Sequence, residues 1–254
     1  SNLVSGDTNG QEDVFLRDRE TQTTVRVSVA NDGTEGNAGS EMARVSANGQ
    51  YVAFRSNAGN LVPGDTNGEE DIFLRDWEAG TTVRVSVASD GTQGNNSSMD
   101  TSMSSDGRFI AFSSSATNLV SGDANGKEDV FLHDRQTGET SRLSITTGGA
   151  EGNNQSYLPA ISANGAAVAF LSFASNLVSS DTNGFQDVFV RDLALGATTR
   201  VSLTESNGEA NHGEDPEIFP SINADGSIVG FSSPANTIVA NDTNDVWDVF
   251  LRIR

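Results

Sequence analysis

Asn2-Leu3-Val4-Ser5-Gly6-Asp7-Thr8-Asn9-Gly10 runs into Asp13-Val14-Phe15-Leu16-Arg17-Asp18, and the same text returns down the chain, the last time in degraded form. Copies begin near Asn2, Asn60, Asn118, Asn176 and Asn236. The loop aspartates Asp7, Asp65, Asp123 and Asp181 are spaced 58 residues apart, and Asp242 follows 61 residues on. A fixed period of this length signifies an array of one supersecondary unit, each copy burying its apolar face on the next. Residues 1–254 are therefore read as a single repeat domain.

Each unit reads as four short strands. Strand a is Ala43-Arg44-Val45-Ser46, matched by Ala160-Ile161-Ser162 and Ser221-Ile222-Asn223. The pairs Asn48-Gly49, Asp106-Gly107, Asn164-Gly165 and Asp225-Gly226 follow, supplying the positive φ of a tight hairpin. Strand b is Tyr51-Val52-Ala53-Phe54 and its copies, strand c is the Asp-Val-Phe-Leu-Arg run, and strand d is Thr24 to Val29 and its copies. In strand d, Val25, Val27 and Val29 share one face, and Arg26 and Ser28 the other. Strands b and c are apolar on both faces, as in sheets covered on both sides. No segment holds a 3.6-residue period, so helix is nearly absent. Four-stranded antiparallel sheets at fixed period predict an all-β propeller of four to five blades.

These residues resemble a known family. The pattern Pro159-x-x-Ser162-x-Asn164-Gly165-x-x-Val168-Ala169-Phe170, followed by Asp187-Val188-Phe189-Val190-Arg191-Asp192, is similar to the WD-repeat-like propeller units of the TolB type, found in many secreted bacterial proteins. The resemblance covers the whole chain and implies the propeller fold and a secreted, extracellular or periplasmic setting. It carries little about activity, because that family includes scaffolds, binding modules and domains attached to hydrolases. Against TolB, an N-terminal α/β domain is not expected within these residues, and the Asp-x-Asn-Gly loop between strands b and c is a departure from the pattern.

The chain has 254 residues, no cysteine, 15 basic against 35 acidic residues and a net charge of −20. No disulfide, thiolate zinc site or cysteine nucleophile is possible. No run approaches the roughly 20 apolar residues that cross a bilayer, and the charge repels nucleic acid phosphates and anionic lipid. Nucleic acid and membrane insertion are poor expectations. A leader could precede Ser1.

The acidic loops are the chief chemical candidates. They present Asp7, Asn9 and Asp13; Asp65, Asn67 and Asp71; Asp123, Asn125 and Asp129; Asp181, Asn183 and Asp187; and Asp242, Asn244 and Asp248. Hard oxygen donors at offsets 0, 2 and 6, with glycine at offset 3 and a backbone carbonyl at offset 4, suit calcium. The likeness to an EF-hand stops there, because Asp18 at offset 11 lies roughly 16 Å beyond, past strand c. The fifth loop has Asp245 in place of glycine. A competing reading is that Asp and Asn bond their own backbone and simply turn the chain. Turn chemistry accounts for Asn and Gly but not for the third carboxylate in every copy.

Two further patterns repeat. Arg17, Arg75, Arg191 and Arg252 sit in strand c, with His133 at the matching place, and Arg26, Arg84, Arg142 and Arg200 sit in strand d. Facing one another near Asp18, Asp76, Asp134 and Asp192, they predict charge ladders along the blade rim. The loop after strand d, Asp32-Gly33-Thr34-Glu35-Gly36-Asn37 and its copies, reads as tight turns, with an insertion near His212-Gly213-Glu214-Asp215. No nucleophile elbow or phosphate loop appears, and identical carboxylates lack the asymmetry that acid–base catalysis needs. The expected function is a non-enzymatic, calcium-stabilised scaffold. Strand c occurs once more than the other strands, so head-to-tail self-association is expected. The alternative is a ligand-binding module, lectin-like or TolB-like, for a glycan or protein partner.

Overall fold

The hairpins form where the Asn-Gly and Asp-Gly pairs stand. The positive φ falls on the glycine alone: 78° at Gly49, 70° at Gly107, 71° at Gly165 and 81° at Gly226. Gly49 N–H donates to the Ser46 carbonyl, so the turn spans four residues and ends on glycine instead of centring on the pair. The computed structural model describes residues 3–213, 219–244 and 246–254. Asn2, Glu214, Asp215 and Asp245 lie outside the described residues.

Strands are the only regular elements among the described residues. A two-stranded sheet comes first, β1 (Phe15–Arg17) and β2 (Thr24–Arg26). Three four-stranded antiparallel blades follow. The first is β3 (Ser40–Val45), β4 (Tyr51–Ser56), β5 (Asp71–Asp76) and β6 (Thr81–Arg84). The second is β7 (Ser98–Met103), β8 (Phe109–Ser114), β9 (Asp129–Asp134) and β10 (Glu139–Arg142). The third is β11 (Ser156–Ile161), β12 (Ala167–Ser172), β13 (Asp187–Asp192) and β14 (Ala197–Arg200). The chain ends in a three-stranded sheet, β15 (Ser221–Ile222), β16 (Ile228–Ser233) and β17 (Asp248–Ile253). The fold is an all-β propeller array.

Strand a begins earlier than the sequence suggests and carries a bulge in each complete blade, between Glu41 and Arg44, Met99 and Thr101, and Tyr157 and Ala160. Strand d is shorter: after Arg26 one backbone bond, Val27 N–H to the Val14 carbonyl, still joins strand c, and Val29 then bridges Glu35 of the following turn. Strands a of successive blades touch one another, which places them at the axis and strands d at the rim.

Middle strands bury both faces, as their unbroken apolar runs require. Phe54 lies opposite Phe73, Phe112 opposite Phe131 and Phe170 opposite Phe189, all fully buried, with ring centroids 5.8–6.0 Å apart. Such pairs add about 0.5–1.5 kcal/mol beyond area burial. Blades are also stitched by polar seams. The Thr82 hydroxyl donates to the Val29 carbonyl of the preceding unit, Thr140 to Val87 and Thr198 to Ile145, each at 2.6 Å.

Candidate functional site

The b–c loops, strand d and the turn after it converge at the rim. Antiparallel pairing puts Phe15 opposite Arg26, Phe73 opposite Arg84, Phe131 opposite Arg142 and Phe189 opposite Arg200. Period-2 alternation then aims each arginine, and the serine two residues on, at the aspartate that starts strand c.

In the first unit the Ser28 hydroxyl donates to Asp13 Oδ1 at 2.6 Å and accepts the Val14 N–H at 3.1 Å. Arg26 Nη1 donates to Asp13 Oδ2 at 3.1 Å, and Nη2 to Glu35 Oε1 at 2.6 Å and the Gly6 carbonyl at 3.1 Å. Asp7 lies 3.5 Å from the same guanidinium. The third and fourth units repeat this set. Arg142 pairs with Asp129 at 3.2 Å, Asp123 at 3.5 Å and Glu151. Arg200 pairs with Asp187 at 3.1 Å, Asp181 at 3.3 Å and Glu209 at 3.1 Å. In the second unit, where Gln93 replaces the glutamate, Arg84 lies 3.3 Å from both Asp65 and Asp71, and the Gln93 amide donates to both.

A calcium ion in these loops would have to be held by this donor set. Carboxylate oxygens of Asp123, Asp129 and Glu151 lie within 4.8 Å of one another, close enough for a cation. The guanidinium of Arg142 already occupies that place. Each loop asparagine also turns its oxygen away: Asn9 Oδ1 accepts the Gln11 N–H, while its Nδ2 donates to Asp13 Oδ2. Asn67, Asn125 and Asn183 do likewise. The residue at offset 4 thus supplies an N–H to the asparagine. Four of the five loops therefore do not fit a calcium ion. In the fifth, Asn244 makes the same turn with Val246 N–H, but among the described residues no arginine pairs with Asp242 or Asp248.

Charge follows the geometry. Asp71, Asp129 and Asp187 are fully buried, which pushes their carboxyls up. Burial, then the neighbouring Asp129 or Asp187, pushes Asp123 and Asp181 up to about 6. Glu209 goes the other way, to about 2, because Thr182 donates to it. Each cluster is a guanidinium lock between the b–c loop, strand d and the next turn.

The rim ladders expected between the two arginine sets do not form. Arg17 lies opposite Thr24 and Arg75 opposite Thr82, and each donates to that threonine hydroxyl. Arg191 does so to Thr198, and His133 Nδ1 takes the matching contact with Thr140 at 2.9 Å. Strand-d arginines serve the acid loops instead, because the pairing sets them opposite phenylalanine. Asp18 bonds the turn at Glu20 N–H and Thr21. His212 stacks on Phe185 at 5.8 Å. Sequence reading missed the lock itself, whose signal was the shared face of Arg26 and Ser28.

No protein-family model matches this chain, and no curated protein matches it. Solved structures do. TolB from Acinetobacter baumannii is 15% identical, with 94% of this chain aligned to 47% of that one at a TM-score of 0.51. A putative TolB from Agrobacterium tumefaciens is 16% identical over 91% and 66%, TM-score 0.52. An oligogalacturonate lyase in complex with manganese is 12% identical over 95% and 54%, TM-score 0.52. The chain spans between about half and two thirds of the length of these proteins. At such identities the likeness is one of architecture, and the chain is a TolB-like β-propeller in fold.

Proposed function

We propose that this chain is a non-enzymatic propeller scaffold of a secreted or periplasmic protein that associates with further copies or partners through its sheet edges. What carries the reading is the fate of the acidic residues. In four units the carboxylates are spent on the same internal arginine lock, so the most concentrated polar groups of the molecule serve cohesion. Three of those locks join the same Asp, Asp and Glu to one arginine, and the second has Gln93 in place of the glutamate.

Calcium enters this reading as a competitor of guanidinium. Among the acidic b–c loops of the described residues, the fifth, with Asp242, Asn244 and Asp248, has no arginine paired to its carboxylates. Light scattering across a concentration series, in calcium and in chelator, tests the proposal. The expected result is concentration-dependent association, with a melting temperature that chelator leaves unchanged. A strictly monomeric species at high concentration would sink the assembly reading and favour the binding module for a glycan or protein. A melting temperature that collapses in chelator and returns with calcium would give the loops to metal.

A further inference from the structure

The third blade and the turn after it break the repeat at the end that carries the b–c loop. Tyr157 lies opposite Leu171, where the first blade sets Glu41 opposite Arg55 and the second Met99 opposite Ser113. Phe173 stands where those blades have Asn57 and Ser115, and Phe185 where they have Glu69 and Lys127. In the following turn His212 stands where Asn96 and Asn154 stand. The same backbone therefore forms without aromatic residues at these places. Core packing does not account for them either, since Phe173 is 37% and Phe185 41% exposed.

The rings make two pairs. Tyr157 stacks on Phe173 with centroids 6.4 Å apart and 23° between planes, and Phe185 stacks on His212 at 5.8 Å and 25°. The Tyr157 hydroxyl donates to Gln186 Oε1, which ties the first pair to the residue after Phe185. Two half-buried acids from the second blade stand beside Tyr157. Asp100 Oδ2 accepts the Leu158 N–H and the Ser113 hydroxyl, both at 3.3 Å, and the Glu128 carbonyl accepts the Ser156 N–H at 2.8 Å. Burial, then Glu128 and Asp100, pushes the Tyr157 hydroxyl up to about 12, so it stays a donor.

Shape and charge together select the occupant. Rings stacked nearly parallel present flat faces and do not box in a cation. The acids beside them, on a chain of net charge −20, repel an anion. A wholly apolar partner would strip water from Glu128 and return no hydrogen bond. What fits is an uncharged ring with C–H groups on its face and hydroxyls at its edge. We propose that this platform binds a neutral saccharide, whose pyranose faces stack on the Phe173 and Phe185 pairs and whose hydroxyls donate to Asp100 and Glu128. The aromatic faces are electron-rich and attract the C–H groups, while the carboxylates fix the edge. The site adds a ligand to the scaffold and does not depend on how copies associate.

Saturation-transfer NMR on the whole protein tests this with four uncharged probes: cellotetraose, maltotetraose, mannotetraose and the tetramer of N-acetylglucosamine. At least one should bind saturably, with transfer concentrated on the C–H protons of the sugar ring. Phe173→Leu and Phe185→Leu keep apolar volume but remove the flat face. Each should weaken binding at least tenfold while the melting temperature stays unchanged, because both rings are exposed. Lys127→Ala, at the place of Phe185 in the preceding blade, should leave binding as it was. No transfer to any of the four sugars overturns the proposal. So does equal affinity in the Phe173→Leu/Phe185→Leu double variant, which would place the sugar elsewhere. Displacement of a bound sugar by millimolar tetramethylammonium chloride would also overturn it, since the rings would then be holding a cation.

Discussion

Arg142 holds three carboxylates at once, and Asp129 beneath it is fully buried. Taking away one partner of a buried pair leaves the other charged in a dry site, which costs about 3–5 kcal/mol. Arg142→Ala should lower stability by that amount in urea denaturation, and Arg142→Lys should recover only part, because an ammonium cannot fork between carboxylates. An Arg142→Ala protein as stable as the parent would remove the lock from the account of this fold. A second pairing sets the acid limit. Arg108 donates to Asp134 through Nε at 3.0 Å and Nη2 at 2.7 Å, holding that carboxyl down at about 2. The folded value lies below that of an unfolded aspartate, about 3.9, so the contribution is present above about pH 4 and is lost as pH falls towards 2. Denaturation midpoints at pH 7 and pH 3 should differ less in Arg108→Gln than in the parent. Equal differences would show that Asp134 plays no part in acid unfolding.

Among the elements, the a–b hairpins do two jobs. Gly107 has φ 70°, and a Cβ there would meet Tyr51 of the preceding blade at 2.5 Å. Gly122 has φ 76° and nothing within 4 Å. Alanine at either position carries backbone strain of about 1–2 kcal/mol, and only Gly107→Ala adds a clash, worth about 1–3 kcal/mol more. Urea midpoints of the two variants should separate by that second amount; coincident midpoints would mean that Tyr51 simply swings aside. Strand order, hairpin sites and the two-sided burial of strands b and c were legible in sequence because they follow from apolar patterning and local turn chemistry. The lock was not, because its guanidinium arrives 13 residues after Asp13 and across a turn, so pairing register decides whether Arg26 meets an acid or another arginine. Oxygen spacing alone does not say which cation it holds. Nor does Asp248-Val249-Phe250-Leu251-Arg252 read differently from Asp13 to Arg17, although among the described residues only the latter pairs with a strand d.

Across the whole molecule, stability is a sum over units and the seams between them, as in any linear array. A net charge of −20 on 254 residues pushes the units apart, and the locks confine part of that charge between each loop and its own strand d. The seams join Thr82 to Val29, Thr140 to Val87 and Thr198 to Ile145 through hydroxyls, and Ala47 N–H to the Ser105 carbonyl and Ser105 N–H to the Ala163 carbonyl, backed by the buried faces of adjoining sheets. Pulled between its ends, such a chain does not resist as one body. Load passes through the seams in series, and the weakest gives first, freeing one unit while the rest stay shut. With repeats 58 residues long, each release adds about 200 Å of extended chain. A single-molecule force trace should therefore be a sawtooth of evenly spaced peaks, and the protein would behave under tension as a row of shock absorbers that yield one at a time.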